Sequence, residues 1–580
     1  MTTLLLLLVL ASPQESAEEA LFRKCDSQIP WFTDGVELAD GTPTPPLPDV
    51  DRVALLDRTK AIARQRNRQV LWYCPRLAGT HTYRAAVLDI YARVALFTDP
   101  RLVKFVNETF VPLRMACDAK TAAATGIKFP DRVEPAIFLL TPDGKIVEVI
   151  DRIRTFNADA IRASLGGGNN RSPFRGMAQD ALEKDGSPEA IYYLSAMDMQ
   201  AGRDPEPRWR TLVARHPASP WAWKAASNLV RGPDGLRQGP MTHLVEDLID
   251  LPAGEPAARA VEFLLRAQQP DGSWSDARYS YGWARYMIQR RIKEGLLDPA
   301  YTSWPDRTLQ PNVFVAITAI AARALLEWRD EAPDRIDAAL ARAEKYLADD
   351  ARVSPDLCEA CYAEAYRLHY YAGKKDVPRM NRLVKRLADL QDRDGFWGHE
   401  YPSAFATAAI VHILVEARKA GAEVPEMMFR RAADALIKTR AEDGRQAYRH
   451  EPGKGMSSEK NSMGRTASSE LALLECGRGS LADVSAGLDA YWKHLARLEA
   501  VRLADNHADE ELAGFFYFNS VYNTLEAARA LEAPQRNGHL DKFRAQIRPL
   551  QEPDGSFVDS HELGKSYGTA MALLILRRLQ

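Results

Sequence analysis

The segment Gln391-Asp392-Arg393-Asp394-Gly395-Phe396-Trp397 follows a stretch of helical periodicity, and its pattern recurs through the second half of the chain. A Gln, two residues, Asp-Gly, one residue and an aromatic ring return at Gln268–Trp274 and Gln551–Phe557. A degenerate copy spans Arg440–Gly444. Asp-Gly just beyond a helix suits a left-handed C-cap, and a Gln amide can bond free backbone groups at a neighbouring helix end. The repeat therefore predicts a series of helical hairpins.

Around these turns, periodicity predicts six pairs of helices over residues 256–580. The second helix of each pair is richer in small and apolar residues, as in AFATAAIVHILVEA at Ala404–Ala417. A helix that is apolar on all sides is buried on all sides. We therefore expect an all-α, closed (α/α)6 toroid whose second helices form the inner ring. These are expected at Asn312–Trp328, Leu357–Tyr371, Pro402–Ala417, Ser462–Cys476, Gly514–Leu531 and Lys565–Leu579.

The residues before 256 divide into four parts. Residues 1–20 contain the apolar run Leu4–Ala11 followed by small residues, which is typical of a secretory signal peptide. Residues 21–50 are predicted as a linker that ends in the Pro-rich segment GTPTPPLPDV. Residues 51–165 read as helix, strand, helix, strand, strand and helix, and residues 170–255 as a short helical connector. The chain is thus predicted to be multi-domain, with an α/β domain before the ring.

Residues 51–165 resemble the thioredoxin fold through the segments QVLWY at 69–73, DPRLVKFVNETFVPLRM at 99–115 and EPAIFLLTPDGKIVEVI at 134–150. That family carries a Trp-Cys-x-x-Cys redox motif after its first such strand. Here the sequence reads Trp-Tyr-Cys-Pro-Arg-Leu at 72–77, so the second Cys is missing. A lone thiol cannot cycle between dithiol and disulfide, and the resemblance therefore implies a redox-inactive domain. It also implies a cis bond between Glu134 and Pro135.

Two thiols of this domain are candidates for a disulfide bond. The strands QVLWY and VPLRMA each run directly into a cysteine, Cys74 and Cys117 respectively. We expect these residues to lie near each other at the ends of adjacent parallel strands. Export to an oxidising compartment would allow a bond between them.

The repeat over residues 255–580 resembles the QW-type motif of squalene cyclases, in the terpenoid cyclase and protein prenyltransferase superfamily. The catalytic Asp-x-Asp-Asp signature of those cyclases is absent from this sequence. The resemblance therefore implies the toroid but not carbocation cyclisation. No catalytic residue is predicted.

Histidines mark one rim of the expected ring. His399, His450, His507 and His561 each fall between a first helix and a second helix, and such loops emerge on the same side of a closed ring. The long segment Ser275–Pro311 is expected over the same mouth. Histidines with carboxylate neighbours could bind a metal or a ligand, whereas the plain alternative is a polar, solvated rim. Trp283 and Tyr281 of the long segment and Arg465 of the fourth inner helix complete the rim candidates.

Prenyltransferase β subunits hold zinc with Asp-x-Cys at the start of an inner helix and a later His. Glu359-Ala360-Cys361 resembles that element with Glu in place of Asp, and His399 is the nearest histidine. No cofactor is predicted, and zinc at these three side chains is kept as an alternative. Cys358 and Cys361 also form a CxxC pair, with two buried core residues or a local disulfide as the competing interpretations.

Composition excludes some classes of partner. The 580 residues carry a formal net charge of −2, so no basic field for nucleic acid or anionic lipid is present. No transmembrane segment is expected in the mature chain, because Leu4–Ala11 is shorter than the roughly 20 residues that span a bilayer.

Three functions remain open from sequence. The first is an exported binding protein, periplasmic or secreted, whose partner is a protein or a hydrophobic small molecule. The second is an enzyme that uses the ring cavity. The third is a thiol-disulfide protein that uses Cys74 or the Cys358–Cys361 pair.

Overall fold

The computed structural model describes residues 20–21, 28–35, 48–77, 89, 92, 96–128, 135–151, 158–168, 172–174, 177–200, 203–229, 254–274, 311–355, 359–398, 401–448, 450, 456–502, 517–552, 554–559 and 563–580. Glu134 lies outside these residues, and so does the predicted Glu134–Pro135 bond. So do Cys358, His399, His507, His561 and the segment Ser275–Gln310 with Tyr281 and Trp283.

The α/β domain is built on one mixed sheet with the strand order β1-β3-β2-β4-β5. Strands β1, β3 and β2 are parallel, β4 is antiparallel to β2, and β5 is antiparallel to β4. The strands are β1 (Phe32–Thr33), β2 (Gln69–Cys74), β3 (Phe110–Arg114), β4 (Ala136–Leu140) and β5 (Ile146–Ile150), and the helices are α1 (Arg52–Arg66), α2 (Pro100–Thr109), α3 (Ala119–Thr125) and α4 (Ala158–Ser164).

Strand β1 corrects the prediction that residues 21–50 are a linker. Phe32 and Thr33 pair with Leu113 and Arg114 of β3, which adds an edge strand to the sheet. The buried ion pair between Arg52 Nε and Asp34 Oδ2, 2.7 Å long, holds this segment against α1. A strand of two residues is too short to show a periodic pattern, and for this reason the sequence analysis missed it.

The connector consists of the short helices α5 (Gln179–Asp185), α6 (Pro188–Gln200), α7 (Glu206–Arg215) and α8 (Pro220–Leu229). It packs against both of its neighbours. Lys224 on α8 is fully buried, and its Nζ lies 3.3 Å from Oδ2 of Asp99, the residue that caps α2. Helix α6 contacts the first helix of the ring.

The ring contains alternating outer and inner helices. The outer helices are α9 (Pro256–Ala267), α11 (Pro333–Ala348), α13 (Val377–Leu390), α15 (Glu426–Lys438), α17 (Leu481–Lys493) and α20 (Ala533–Ile547). The inner helices are α10 (Pro311–Glu327), α12 (Ala360–Lys374), α14 (Ala404–Lys419), α16 (Glu459–Glu475), α19 (Tyr517–Arg529) and α21 (Gly564–Arg578), and the short helix α18 (Leu495–Val501) extends α17.

Contacts between the inner helices close the ring. In chain order each inner helix packs on the next, and the last, α21, packs on the first, α10. The inner helices are buried along most of their length, as their small and apolar residues predict. The predicted (α/α)6 architecture is therefore confirmed. Among the described residues, no helix is long and apolar enough to cross a membrane.

The glutamine of the repeated motif makes the same contacts in each full copy. Gln391 Nε2 donates to the carbonyl oxygens of Gly395, at 3.0 Å, and of Met428 on the next outer helix, at 3.1 Å. Trp397 Nε1 donates to Leu387 O at 2.7 Å. Gln268 and Gln551 bond in the same way, to Ala339 O and Pro256 O respectively. Each motif therefore joins one outer helix to the next, as the sequence predicts.

Candidate functional site

The inner ring encloses a cavity of about 620 Å³. Its wall is formed by the C-terminal halves of α12, α14, α16, α19 and α21, together with the start of the outer helix α20. Volumes of about 300–1,000 Å³ are usual for small-molecule sites. The cavity lies at the end of the ring opposite the outer-to-inner loops, and the two rim candidates that the structure describes, His450 and Arg465, do not line it.

An ion-pair network supports the wall of this cavity. Arg323 Nε lies 2.7 Å from Glu327 Oε1, and Arg323 Nη2 lies 2.6 Å from Glu416 Oε1. Arg578 pairs with Glu327 from the other side and reaches Glu526 Oε1 at 2.9 Å. The network links α10, α14, α19 and α21. Burial alone would raise the pKa of Glu327, but Arg578 and Arg323 lower it overall.

His369 is the buried imidazole of the cavity wall, with 2% of its surface exposed. Its Nε2 lies 3.1 Å from Glu416 Oε2, within ion-pair distance. Its Nδ1, in contrast, has no hydrogen-bond partner. Buried polar groups nearly always have such a partner. A ligand in the cavity could therefore bond His369.

His412 is fully engaged, in contrast to His369. Its Nδ1 lies 2.5 Å from Glu475 Oε2 and its Nε2 lies 3.3 Å from Ser468 Oγ. Burial alone would lower the pKa of His412, but Glu475 raises it overall, which favours the charged imidazolium. A Ser, His and Glu in this order resemble a nucleophilic triad. However, Ser468 is buried and does not line the cavity.

Cations surround the outer part of the cavity. Lys419 is exposed at the end of α14, and Arg536 is half-buried near the start of α20. Neither side chain forms an ion pair with a described residue. Arg529 also lines the cavity and pairs with Glu526 at 3.1 Å. The three described carboxylates that line the same cavity, Glu416, Glu475 and Glu526, are paired with Arg323, His412 and Arg578 respectively.

A second, smaller cavity lies toward the N-terminal ends of the inner helices and has a volume of about 40 Å³. Its wall is mainly apolar, with Val313, Ile317, Ile320 and Leu563 among the lining residues. Glu359 also lines it and has a positive φ of 65°, rare for a residue other than glycine.

The rim candidates that the structure describes have structural roles. His450 stacks on Phe396 with ring centroids 5.0 Å apart. Arg465, 2% exposed, donates to Gln446 O, Asn461 O and Ser457 Oγ. Because these hydrogen bonds occupy the guanidinium group of Arg465, it is not available to bind a ligand.

The zinc alternative is not supported by the described residues. Cys361 Sγ donates to Gly398 O at 3.4 Å, and no group of three described His, Cys, Asp or Glu side chains is placed to hold a metal. Glu359 lies at the start of the same helix, whereas the third proposed ligand, His399, is outside the described residues.

The thiols of the α/β domain are fully buried. Cys74 ends β2, and Cys117 follows β3 and bridges to Leu77, so the two residues lie at neighbouring parallel strand ends as predicted. No disulfide joins them. Burial raises the pKa of the Cys117 thiol to about 12, which leaves almost no reactive thiolate at neutral pH.

Acid should weaken the ion-pair network. Burial alone would raise the pKa of Glu416, but His369 and Arg323 lower it overall from its usual 4.5. A lowered folded-state pKa contributes stability above the unfolded value, and this stability is lost as pH falls through the folded value. We expect stability to decline below about pH 4.5, and to decline less steeply in Glu416→Gln. Denaturant unfolding at a series of pH values tests this prediction. Glu331 is exposed, so Glu331→Gln should keep the wild-type dependence of stability on pH.

Comparisons with known proteins were made for the whole chain. No protein-family model and no curated protein sequence matches it. A solved structure, the type II terpene cyclase MstE from Scytonema without ligand, is 15% identical and matches 56% of this chain and 97% of its own length, with a TM-score of 0.36. The ring architecture itself rests on the contacts between the inner helices.

Proposed function

We propose that this chain is an exported binding protein whose ring holds a small acid, carrying a carboxylate or a phosphate. The observation that supports this most directly is the buried His369, which lines the 620 Å³ cavity and whose Nδ1 has no hydrogen-bond partner. The proposal includes a ring of the squalene cyclase and prenyltransferase type without cyclase chemistry. It also includes a thioredoxin-like domain without dithiol chemistry.

The charges favour an acid over the wholly hydrophobic ligand expected from sequence. Lys419 and Arg536 lack carboxylate partners among the described residues, and they stand beside the cavity lined by His369. Like charges around a concave site concentrate ligands of opposite charge. Imidazole and guanidinium groups also donate strong hydrogen bonds to ionised oxygens.

The observations support binding more than catalysis. The cyclase signature is absent, and the Ser468–His412–Glu475 arrangement has its serine away from the cavity. The α/β domain has a single cysteine at the position of the thioredoxin motif, and Cys74 is buried. Neither domain therefore offers a described group suited to nucleophilic or redox work.

Titration with matched small molecules tests the proposal. Calorimetry with succinate and inorganic phosphate should show binding, whereas neutral succinamide and cationic 1,4-diaminobutane should show none. His369→Phe and Lys419→Met should each weaken acid binding about tenfold or more, as expected for a lost hydrogen bond to a charged group. Lys345→Met, which removes an exposed lysine from outer helix α11, should leave binding unchanged. Equal binding of acid and amide would refute the proposal.

Export is the second part of the proposal, and it rests on the short apolar run Leu4–Ala11 and the small residues after it. The expected result is a processed chain outside the cytoplasm, shortened by about 20 residues. Cell fractionation with intact-mass measurement tests this. A variant with Leu5→Arg and Leu7→Arg should stay unprocessed in the cytoplasm. Full-length chain in the cytoplasm of wild-type cells would contradict export.

A further inference from the structure

The two cavities of the ring share a wall. Among the described residues that line either cavity, Tyr366 alone lines both. It sits midway along α12, which runs from the small cavity near its N-terminal end to the large cavity near its C-terminal end. The barrier between the two spaces is therefore about one side chain thick at this point.

Hydrogen bonds hold this barrier in place. Asn519 Nδ2 lies 2.6 Å from the Tyr366 hydroxyl oxygen, and Asn523 Nδ2 donates to Asn519 Oδ1 at 2.6 Å. Asn519 lines the small cavity and Asn523 lines the large one. The Tyr366 ring also stacks on Tyr362, with centroids 6.2 Å apart. The ring is thus fixed from two sides.

The apolar side chains of the large cavity lie nearer the middle of the inner helices than its lysine and arginines do. Ile413, Leu471, Met571 and Leu574 line this cavity together with the cationic side chains. The small cavity beyond Tyr366 is mainly apolar. A ligand with an acidic head and an apolar tail would match this order of surfaces.

We propose that the ligand is an acid with an apolar tail, and that Tyr366 is the floor that limits the length of the tail. The inference rests on the proposed acid-binding function. Removal of the Tyr366 side chain would join the two cavities and let a longer tail pass into the small one.

A series of straight-chain carboxylates, from about four to about twelve carbons, tests this by calorimetry. Burying a methylene is worth about 0.8 kcal/mol, which corresponds to about a fourfold gain in affinity for each added carbon. In the wild type we expect affinity to rise in this way and then stop rising when the tail meets Tyr366. In Tyr366→Ala the rise should continue for several further carbons.

Matched variants separate a lost floor from a general loosening of the ring. Tyr366→Phe removes the hydroxyl but keeps the ring, so it should retain the wild-type limit. Ala316 lines only the small cavity, and Ala316→Leu in the Tyr366→Ala background should shorten the limit again. If Tyr366→Ala does not fold, Tyr366→Leu should extend the limit by a smaller amount.

The two proposals fail in different ways. If neither phosphate nor a carboxylate of any length binds, the proposed function is wrong, and if phosphate alone binds, the tailed acid is refuted. If carboxylates bind but Tyr366→Ala keeps the wild-type limit, acid binding stands and the floor is refuted. A length limit that moves equally in Tyr366→Phe would also refute the floor, because the ring would then not be the barrier.

Discussion

Replacing Gly395 with alanine should destabilise the ring by about 2–5 kcal/mol, the sum of two separate costs. Gly395 has a φ of 96°, a conformation that costs other residues about 1–2 kcal/mol. A Cβ at this position would also lie 2.1 Å from Arg431 O, and relieving such overpacking costs about 1–3 kcal/mol. Guanidinium chloride unfolding, followed by tryptophan fluorescence and circular dichroism, measures the loss.

Gly477 provides the matched control. Its φ is 71°, and a Cβ there would meet no atom within 4 Å. Gly477→Ala should therefore cost only the conformational part, about 1–2 kcal/mol. If both alanine variants lost the same stability, the close approach of Gly395 to the next outer helix would not matter to the ring.

Replacing Arg578 with methionine should cost about 1.5–3 kcal/mol, because the buried Glu327 loses one of its two cations and keeps only Arg323. Arg578 side-chain exposure is 10%, and that of Glu327 is 14%. Glu526, 2.9 Å from Arg578 Nε, would also lose a partner. The same denaturant unfolding experiment at pH 7 measures the cost. Adding Glu327→Gln to the variant should recover part of it, since the carboxylate that lost one of its cations is then uncharged.

Arg329 offers the control for this second prediction. It lies two residues from Glu327 and pairs with Asp337 at 2.5 Å, but its side chain is 59% exposed. Exposed pairs usually contribute between about 0 and 1 kcal/mol. Arg329→Met should therefore change stability little. A loss as large as that of Arg578→Met would show that burial of the network is not the cause.

The helices of the ring could be predicted because their pattern repeats. Each predicted inner helix agrees with the structure within a few residues; for example, Lys565–Leu579 is observed as Gly564–Arg578. The hydrogen bonds of Gln391 could also be predicted from the sequence, because a Gln that follows a helix has few backbone groups within reach. Local signals and tertiary contacts agree at these points.

The cavity could not be placed from the sequence in the same way. The predicted site residues include histidines in loops, whereas the cavity is lined by charged residues inside the inner helices. One signal was present. His412, Glu416 and Lys419 are spaced by four and three residues, which puts them on one face of an otherwise apolar helix. Which side of the helix faces the ring interior depends on packing between helices that are distant in sequence.

The last copy of the motif has a consequence for how the chain could be reconnected. Gln551 Nε2 donates to Pro256 O at 2.8 Å across 295 positions of sequence, and helix α21 contacts helix α9. The first and last helices of the ring are therefore neighbours, in the same way as the helices of any two successive pairs. A circular permutant of residues 255–580 that joins Gln580 to Glu255 through a short linker, and opens the chain at the exposed turn around Gly421, would keep the contacts between the described helices of the ring. In that protein the contact between α21 and α9, which closes the ring, would lie between two helices that are consecutive in the chain.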